Sequence, residues 1–159
     1  MKLFYKKIII SVATIFSIFF LVVILFTIYL TYKIPFNNYR LKIFQDSFNI
    51  FVDPMHPKQS NLITETAEVG NWGSGNQCQF LVGQFRLSTL LKEEIKQFYF
   101  KDSMSSGVYF IEGDEDFDNT WFEWKEKYLK NYKLKDGENV YLVWMSDDDY
   151  PPDGDIRCH

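Results

Sequence analysis

The sequence lacks charge over one long interval, and it lacks any motif with the spacing of a known catalytic or metal site. No Asp, Glu, Lys or Arg lies between Lys7 and Lys33, an interval of 25 residues in a chain of 159. The chain also lacks the length of a multidomain protein, the composition of a disordered segment, the pattern of a coiled coil and the basic excess of a nucleic-acid binder. Those four classes are therefore excluded.

The uncharged interval predicts a transmembrane helix. At about 1.5 Å per residue, a helix from Ile8 to Leu30 spans roughly 34 Å, which is enough to cross a hydrocarbon core of about 30 Å. We predict a basic tail over residues 1–7 and a signal-anchor helix over residues 8–32, with the lipid bilayer as its partner. The alternative is a cleaved signal peptide, but the apolar run is long and no small-x-small cleavage site follows it.

The orientation of the anchor follows from charges that are almost balanced. Residues 1–33 carry a net charge of +4, and residues 34–159, with 13 basic and 21 acidic side chains, carry -8. The two sides of the helix carry equal numbers of nearby basic residues, so these do not decide the orientation. The positive charge of the free amino terminus favours a cytoplasmic N-terminus. The sequence thus predicts a single-pass protein of the plasma or inner membrane with an extracytoplasmic C-terminal domain.

The remainder of the chain divides into a connector and a domain. Residues 33–61 contain three of the five prolines and show no sustained hydrophobic period, so we interpret them as a juxtamembrane connector that packs on the domain. Residues 62–159 form the predicted domain. They are enough for one hydrophobic core of modest stability.

The hydrophobic patterns of residues 62–159 predict a small α+β or α/β domain, in the order hairpin, helix, strand, helix, strand. The predicted hairpin joins residues 62–69 and 78–87, the strands cover 108–112 and 140–145, and the helices cover about 89–99 and 120–132. Two helices packed on a sheet of about four strands is the simplest arrangement that covers every apolar face. Because residues 140–145 are apolar at every position, we expect a central strand there.

The two cysteines, Cys78 and Cys158, predict a disulfide if the domain lies in an oxidising compartment. Such a bond would tie the C-terminal tail to the hairpin. The alternatives are unpaired structural thiols or a reactive thiol. The spacing of the cysteines relative to His56 and His159 places no two zinc ligands on one turn, so we predict no metal site from these residues.

Two acidic loops and one glycine-rich loop supply the candidate binding residues. The loop that begins at Asp114 has carboxylates at alternate positions like a calcium loop, but Lys125 stands where the bidentate Glu is required. Calcium or another divalent cation therefore remains a minor alternative to having no cofactor, and the large aromatic side chain in the glycine-rich loop is a candidate partner contact. The candidate binding residues are Trp72, Asp114, Asp116, Asp118, Asp149 and Asp153.

These observations predict a membrane-anchored protein whose small acidic domain is a binding or interaction module for an unidentified protein partner. No catalytic residues are predicted, because no catalytic constellation is assembled in the sequence. One alternative is a membrane-tethered hydrolase that uses the acidic loops as general acid and base, with or without a divalent cation. Another is an accessory subunit of a membrane complex.

Overall fold

The computed structural model describes residues 2–71, 78–99, 105–112, 119–147, 151–152 and 154–158. Contacts divide the chain into two units, Met1–Phe36 and Asn37–His159. The elements are helix α1 (Lys2–Val52), strands β1 (Ser60–Gly70) and β2 (Gln79–Ser88), helix α2 (Lys92–Lys96), strand β3 (Ser106–Phe110), helix α3 (Asn119–Tyr128) and strand β4 (Asn139–Asp147). Short 3₁₀ turns lie at Asp53–Met55 and Ile156–Cys158.

The first unit consists of the N-terminal part of α1. This helix is long enough and apolar enough to cross a membrane, and the side chains of residues 10–29 are exposed. The hydroxyls of Thr14, Thr27 and Thr31 donate to carbonyl oxygens one turn earlier, each at 2.9 Å. These bonds satisfy the only strong polar groups of those side chains within the helix, as a lipid environment requires.

The C-terminal part of α1 belongs to the second unit and differs from the sequence interpretation. Residues 33–52, interpreted as part of a connector because they show no sustained hydrophobic period, are helical. The reason is a stripe of apolar side chains, Leu41, Phe44, Phe48 and Val52, which recurs at helical spacing and packs into the core of the domain. Of the prolines that suggested irregular structure, only Pro35 lies inside the helix.

The four strands form one antiparallel sheet in the order β1-β2-β4-β3. The predicted hairpin is confirmed, since β1 pairs with β2 from Ser60 opposite Ser88 to Gly70 opposite Gln79. The predicted central strand is confirmed as well, because β4 lies between β2 and β3. Antiparallel pairing throughout gives the α+β form of the predicted fold.

Alternation along the strands gives the sheet two buried faces. Phe80, Val82, Tyr141 and Val143 lie on what we call the α1 face, with the α1 stripe and Ile95 of α2. Leu81, Phe85, Leu142 and Trp144 lie on what we call the α3 face, with Trp121 and Trp124 of α3. Successive residues of a strand therefore belong to two separate clusters, as the two-residue period of a strand requires.

Helix α2 is shorter than the sequence pattern predicts. In the predicted helix over about 89–99, the spacing of Leu91, Ile95, Phe98 and Tyr99 is that of one buried face, but only Ile95 and Tyr99 are buried. Leu91 is extended and serves as the N-terminal cap, where its backbone N–H donates to Oε2 of Glu94 at 2.9 Å. The five-residue helix has ended before Phe98, so the pattern does not continue on a helical surface.

Candidate functional site

The candidate binding residues predicted from sequence fall in parts of the chain that the structure does not describe. This applies to Trp72, Asp114, Asp116, Asp118, Asp149 and Asp153. Those predictions, and the divalent-cation alternative that depends on them, remain predictions. Within the described ranges, no group of three or more His, Cys, Asp or Glu side chains is placed to hold a metal ion.

The predicted disulfide is present between Cys78 and Cys158, whose Cα atoms are 5.3 Å apart. Both cysteines are buried in the cluster on the α1 face. Because the two sulfur atoms are bonded to each other, neither is available as a zinc ligand or as a nucleophile. The cysteine pair therefore has a structural role and joins the C-terminal turn to the start of β2.

A second structural contact at the same turn holds a buried carboxylate. Asp155 has no solvent-exposed surface, and its oxygens accept hydrogen bonds from Nδ2 of Asn37 at 2.9 Å and from Nε and Nη2 of Arg157 at 2.8 and 2.6 Å. Burial alone would raise the pKa of Asp155, but the bonds from Arg157 and Asn37 outweigh it and lower the pKa to about 2. Both carboxylate oxygens of Asp155 accept hydrogen bonds. Because Asn37 belongs to α1, this contact joins α1 to the C-terminal turn.

The most unusual group in the domain is Arg86, a buried arginine on the α1 face of β2. Its side chain donates from Nε to Oγ of Ser60 at 2.8 Å, from Nη1 to Oε1 of Gln84 at 2.7 Å and from Nη2 to the Ser60 carbonyl at 3.4 Å. All three acceptors are neutral. A buried arginine normally has an ionic partner, yet no carboxylate of the described residues lies within 4.0 Å of this one.

From Arg86 a chain of hydroxyl groups leads to His56. Oγ of Ser60 lies 2.7 Å from Oη of Tyr141, which lies 3.0 Å from Oη of Tyr99, which lies 2.8 Å from Nδ1 of His56. Gln84, bonded to Arg86, is also close enough to His56 to influence its pKa. We call the six side chains the polar ring: Arg86, Ser60, Tyr141, Tyr99, His56 and Gln84.

The proton positions in the polar ring follow from what each group can donate. Arginine has no acceptor, so Ser60 accepts from Arg86. If Ser60 donates to Tyr141, Tyr141 to Tyr99 and Tyr99 to His56, every hydroxyl proton has an acceptor. The reverse direction leaves the Ser60 proton without an acceptor among the described residues. The direction that gives every hydroxyl proton an acceptor therefore assigns the proton of neutral His56 to Nε2, where it has no acceptor among the described residues.

The electrostatics of the ring keep His56 neutral. Burial and then the positive charge of Arg86 lower the pKa of His56 to about 4, against opposing effects of Asp53 and Gln84. Burial, followed by the hydrogen bond to Tyr141, raises the pKa of Tyr99, so its hydroxyl keeps its proton. At neutral pH the ring thus carries one positive charge, on Arg86.

One donor of the ring is unused. Nε2 of His56 is buried, and no described residue meets hydrogen-bond geometry with it; Gln84 is close enough to raise the pKa of the imidazole, but its carbonyl oxygen already accepts from Arg86. Oδ1 of Asp53 lies 3.8 Å from it, beyond hydrogen-bond distance. A buried donor without an acceptor costs roughly 1–3 kcal/mol, so its presence beside an unneutralised arginine indicates a place for an acceptor.

Sequence reasoning missed this site because it considered His56 only as a possible zinc ligand and residues 78–87 only as one strand of the hairpin. A signal was present in β2, where Gln84 and Arg86 continue the alternate positions of Phe80 and Val82. Polar residues on the buried side of a strand require partners. The partners come from distant parts of the chain, so the spacing of one motif could not show them.

Comparisons with protein-family models, with curated proteins and with solved structures found no match.

Proposed function

We propose that this chain is a single-pass membrane protein whose C-terminal domain is an extracytoplasmic binding module. The observation that carries the binding assignment is Arg86, a buried cation surrounded by neutral acceptors, whose positive charge acts on His56 with its unused donor. A domain that only needed a stable core would gain more from apolar side chains at these positions, because a buried unpaired charge is costly. A ligand that supplies the missing negative charge accounts for both groups.

The anchoring part of the proposal is supported by two independent features. Helix α1 has the length and composition to cross a membrane, with no charge from residue 8 to residue 32. The Cys78–Cys158 disulfide is typical of an oxidising compartment outside the cytoplasm. An extracytoplasmic domain with a cytoplasmic N-terminus is consistent with both.

Within the polar ring, binding is favoured over hydrolysis by a serine nucleophile because of the order in which the hydroxyl groups are connected. The one Ser hydroxyl in the polar ring, that of Ser60, accepts from Arg86 and is hydrogen-bonded to Tyr141. It is therefore separated from His56 by two tyrosines and is not activated by it, as a serine nucleophile would have to be. The carboxylates of the hydrolase hypothesis, those of the acidic loops, lie outside the described residues, so that alternative remains a prediction.

The topology is tested by fusing a reporter enzyme after His159. We expect activity from a reporter that folds only outside the cytoplasm, and none from a reporter that works only inside it. Mass analysis after thiol alkylation without reductant should detect no free thiol in the extracted protein, while Cys78→Ala should expose one. Activity of the cytoplasmic reporter alone would refute the proposed orientation, and two alkylated cysteines would refute the oxidising compartment.

A further inference from the structure

The polar ring has more donors than acceptors. The guanidinium group of Arg86 has five N–H donors. Three of them bond to Ser60 and Gln84, which leaves two N–H groups of a side chain that is 8% exposed. The Nε2–H of His56 adds a third unused donor, on a side chain that is also 8% exposed. Three unused donors in one buried ring are complementary to an acceptor that has several lone pairs.

The charge of the ring defines the charge of that acceptor. Because His56 is neutral above its depressed pKa, only Arg86 contributes a full charge. One negative charge neutralises it. A phosphate group, with a charge of about -1.5 to -2, would leave an excess negative charge in the same buried place. A cation is excluded because it would add to the charge of Arg86.

The geometry of the donors also favours a carboxylate. The planar guanidinium group matches the two oxygens of a carboxylate in a bidentate arrangement, and a neutral imidazole N–H can donate to one of the same oxygens. A carboxylate has about four acceptor sites, enough for the three unused donors. Chloride has the right charge but lacks this directional match.

We propose that the polar ring binds the carboxylate group of a ligand, held by the guanidinium group of Arg86 and by Nε2–H of His56. The inference rests on the proposed function, since it names the ligand class of the binding module. Ser60, Tyr141 and Tyr99 position the two donors and do not contact the ligand. In the direction assigned above, Tyr99 donates to Nδ1, which keeps the proton of His56 on Nε2.

Asp53 is the internal competitor of this ligand. Its carboxylate is 71% exposed, and Oδ1 lies 3.8 Å from Nε2 of His56. Its negative charge therefore lies beside the proposed site without occupying it. Removing that charge with Asp53→Asn should tighten carboxylate binding by up to about fivefold, the value of an exposed charge pair.

The test uses the full-length chain in detergent micelles, labelled with ¹⁵N at histidine. The sequence contains two histidines, His56 and His159, so the spectrum has two residues to assign, and His159 reports general effects of salt. Acetate is the probe, with chloride and phosphate at equal ionic strength as comparisons. We expect a saturable shift of the His56 Nε2–H resonance with acetate, at least about tenfold weaker with the other anions, which is about 1.4 kcal/mol.

Two variants separate the site from its surroundings. Arg86→Gln should abolish the saturable shift, and the matched control Lys58→Gln, which removes one exposed positive charge close in sequence to His56 and Ser60, should retain it. If Arg86→Gln does not fold, the wild-type titration and the titration of Asp53→Asn still test the proposal. A response to acetate that equals the response to chloride would overturn the proposal, as would no saturable response.

The outcomes also distinguish this inference from the proposed function. Phosphate binding as tightly as acetate would overturn the carboxylate class and leave a binding module with another ligand. A cytoplasmic reporter signal would overturn the topology without affecting the titration. Retention of the acetate shift in Arg86→Gln would overturn the assignment of Arg86.

Discussion

The two faces of the sheet are built from the same strands, but their chemistry differs. The α3 face is aromatic: the ring centroids of Trp121 lie 5.0 Å from those of Trp144 and 5.4 Å from those of Trp124, and Tyr109 stacks on Trp144 at 5.9 Å. The α1 face is apolar at the end that carries the disulfide and polar at the end that carries Arg86. We infer that the α1 face combines stability with the candidate site. The α3 face also has unpartnered donors among the described residues, the indole N–H groups of Trp124 and Trp144, but the buried charged residues that the structure describes, Arg86 and Asp155, do not lie on it.

This difference has an energetic consequence for the α1 face. Polar groups there replace apolar surface that would stabilise the fold by about 25 cal/mol per Å². The same face contains the Cys78–Cys158 disulfide and the buried Asp155 contact, both at the C-terminal turn. We expect these two contacts to offset the free-energy cost of the polar ring.

The largest effect is expected from the disulfide of the α1 face. Closing a loop with a sequence separation of 80 residues stabilises the fold by at most about 4.5 kcal/mol on the chain-entropy model. Replacing both Cys78 and Cys158 with Ala should lower the free energy of unfolding by up to that amount, measured by urea denaturation in detergent. Wild-type protein under reductant is the control and should match the double variant. A loss below about 1 kcal/mol would show that the α1 face does not depend on the bond.

On the α3 face, Trp124→Ala should cost about 4 kcal/mol, because it removes a fully buried aromatic side chain and leaves a cavity. Trp124→Phe is the matched control. The indole Nε1 of Trp124 has no hydrogen-bond partner in the described structure, so Phe loses volume but no bond and should cost about 1 kcal/mol. Equal losses in the two variants, again by urea denaturation, would mean that a polar contact of the indole matters and that this face is not purely apolar.

Features of the two faces could be predicted from sequence where the contacting residues are close together in the chain. The hairpin and the central position of β4 follow from local patterns, since Val140 to Met145 is apolar throughout. The α1 stripe was missed because Pro35 and the prolines after Val52 suggested irregular chain, although Leu41, Phe48 and Val52 have helical spacing. The helix forms because the sheet covers that stripe, a tertiary contact that sequence periodicity alone did not reveal.

The candidate site was less predictable than the fold. Its members come from the turn after α1, from β1, β2 and β4, and from the residues after α2, and Tyr99 is 43 positions from its partner His56. Only the Gln84 and Arg86 pair, two polar residues on the buried side of a strand, could have indicated it. The cysteine pair was predictable because two cysteines allow one disulfide.

The buried carboxylate of the C-terminal turn predicts a pH dependence. The folded-state pKa of Asp155, about 2, is below the ordinary value of 3.8, so its ionised form stabilises the fold. That contribution, about 2 kcal/mol, is present above pH 4 and is lost as the pH falls through 2. Asp155→Asn should remove this part of the pH profile of the free energy of unfolding. Asp46→Asn, which breaks only the exposed pair with Lys42, is the control and should leave the profile almost unchanged.

The smallest expected losses of stability come from removing one tyrosine hydroxyl on each face. Tyr141→Phe removes the link between Ser60 and Tyr99 on the α1 face, and because Ser60 then keeps a donor without an acceptor, it should cost about 1.5 kcal/mol. Tyr128→Phe, at the α3 face, removes only a half-buried bond to Glu68, which also pairs with Lys127, and should cost about 0.5 kcal/mol.

The same pair of variants separates a positioning role from a merely structural one. Tyr141→Phe weakens the support of Arg86 and Tyr99, so the acetate response of His56 should weaken too, whereas Tyr128→Phe should leave it unchanged. A Tyr141→Phe variant that is destabilised but binds acetate like the wild type would show that the hydroxyl chain stabilises the α1 face without positioning its donors. The contrast between the two faces would then depend on Arg86 and His56 alone.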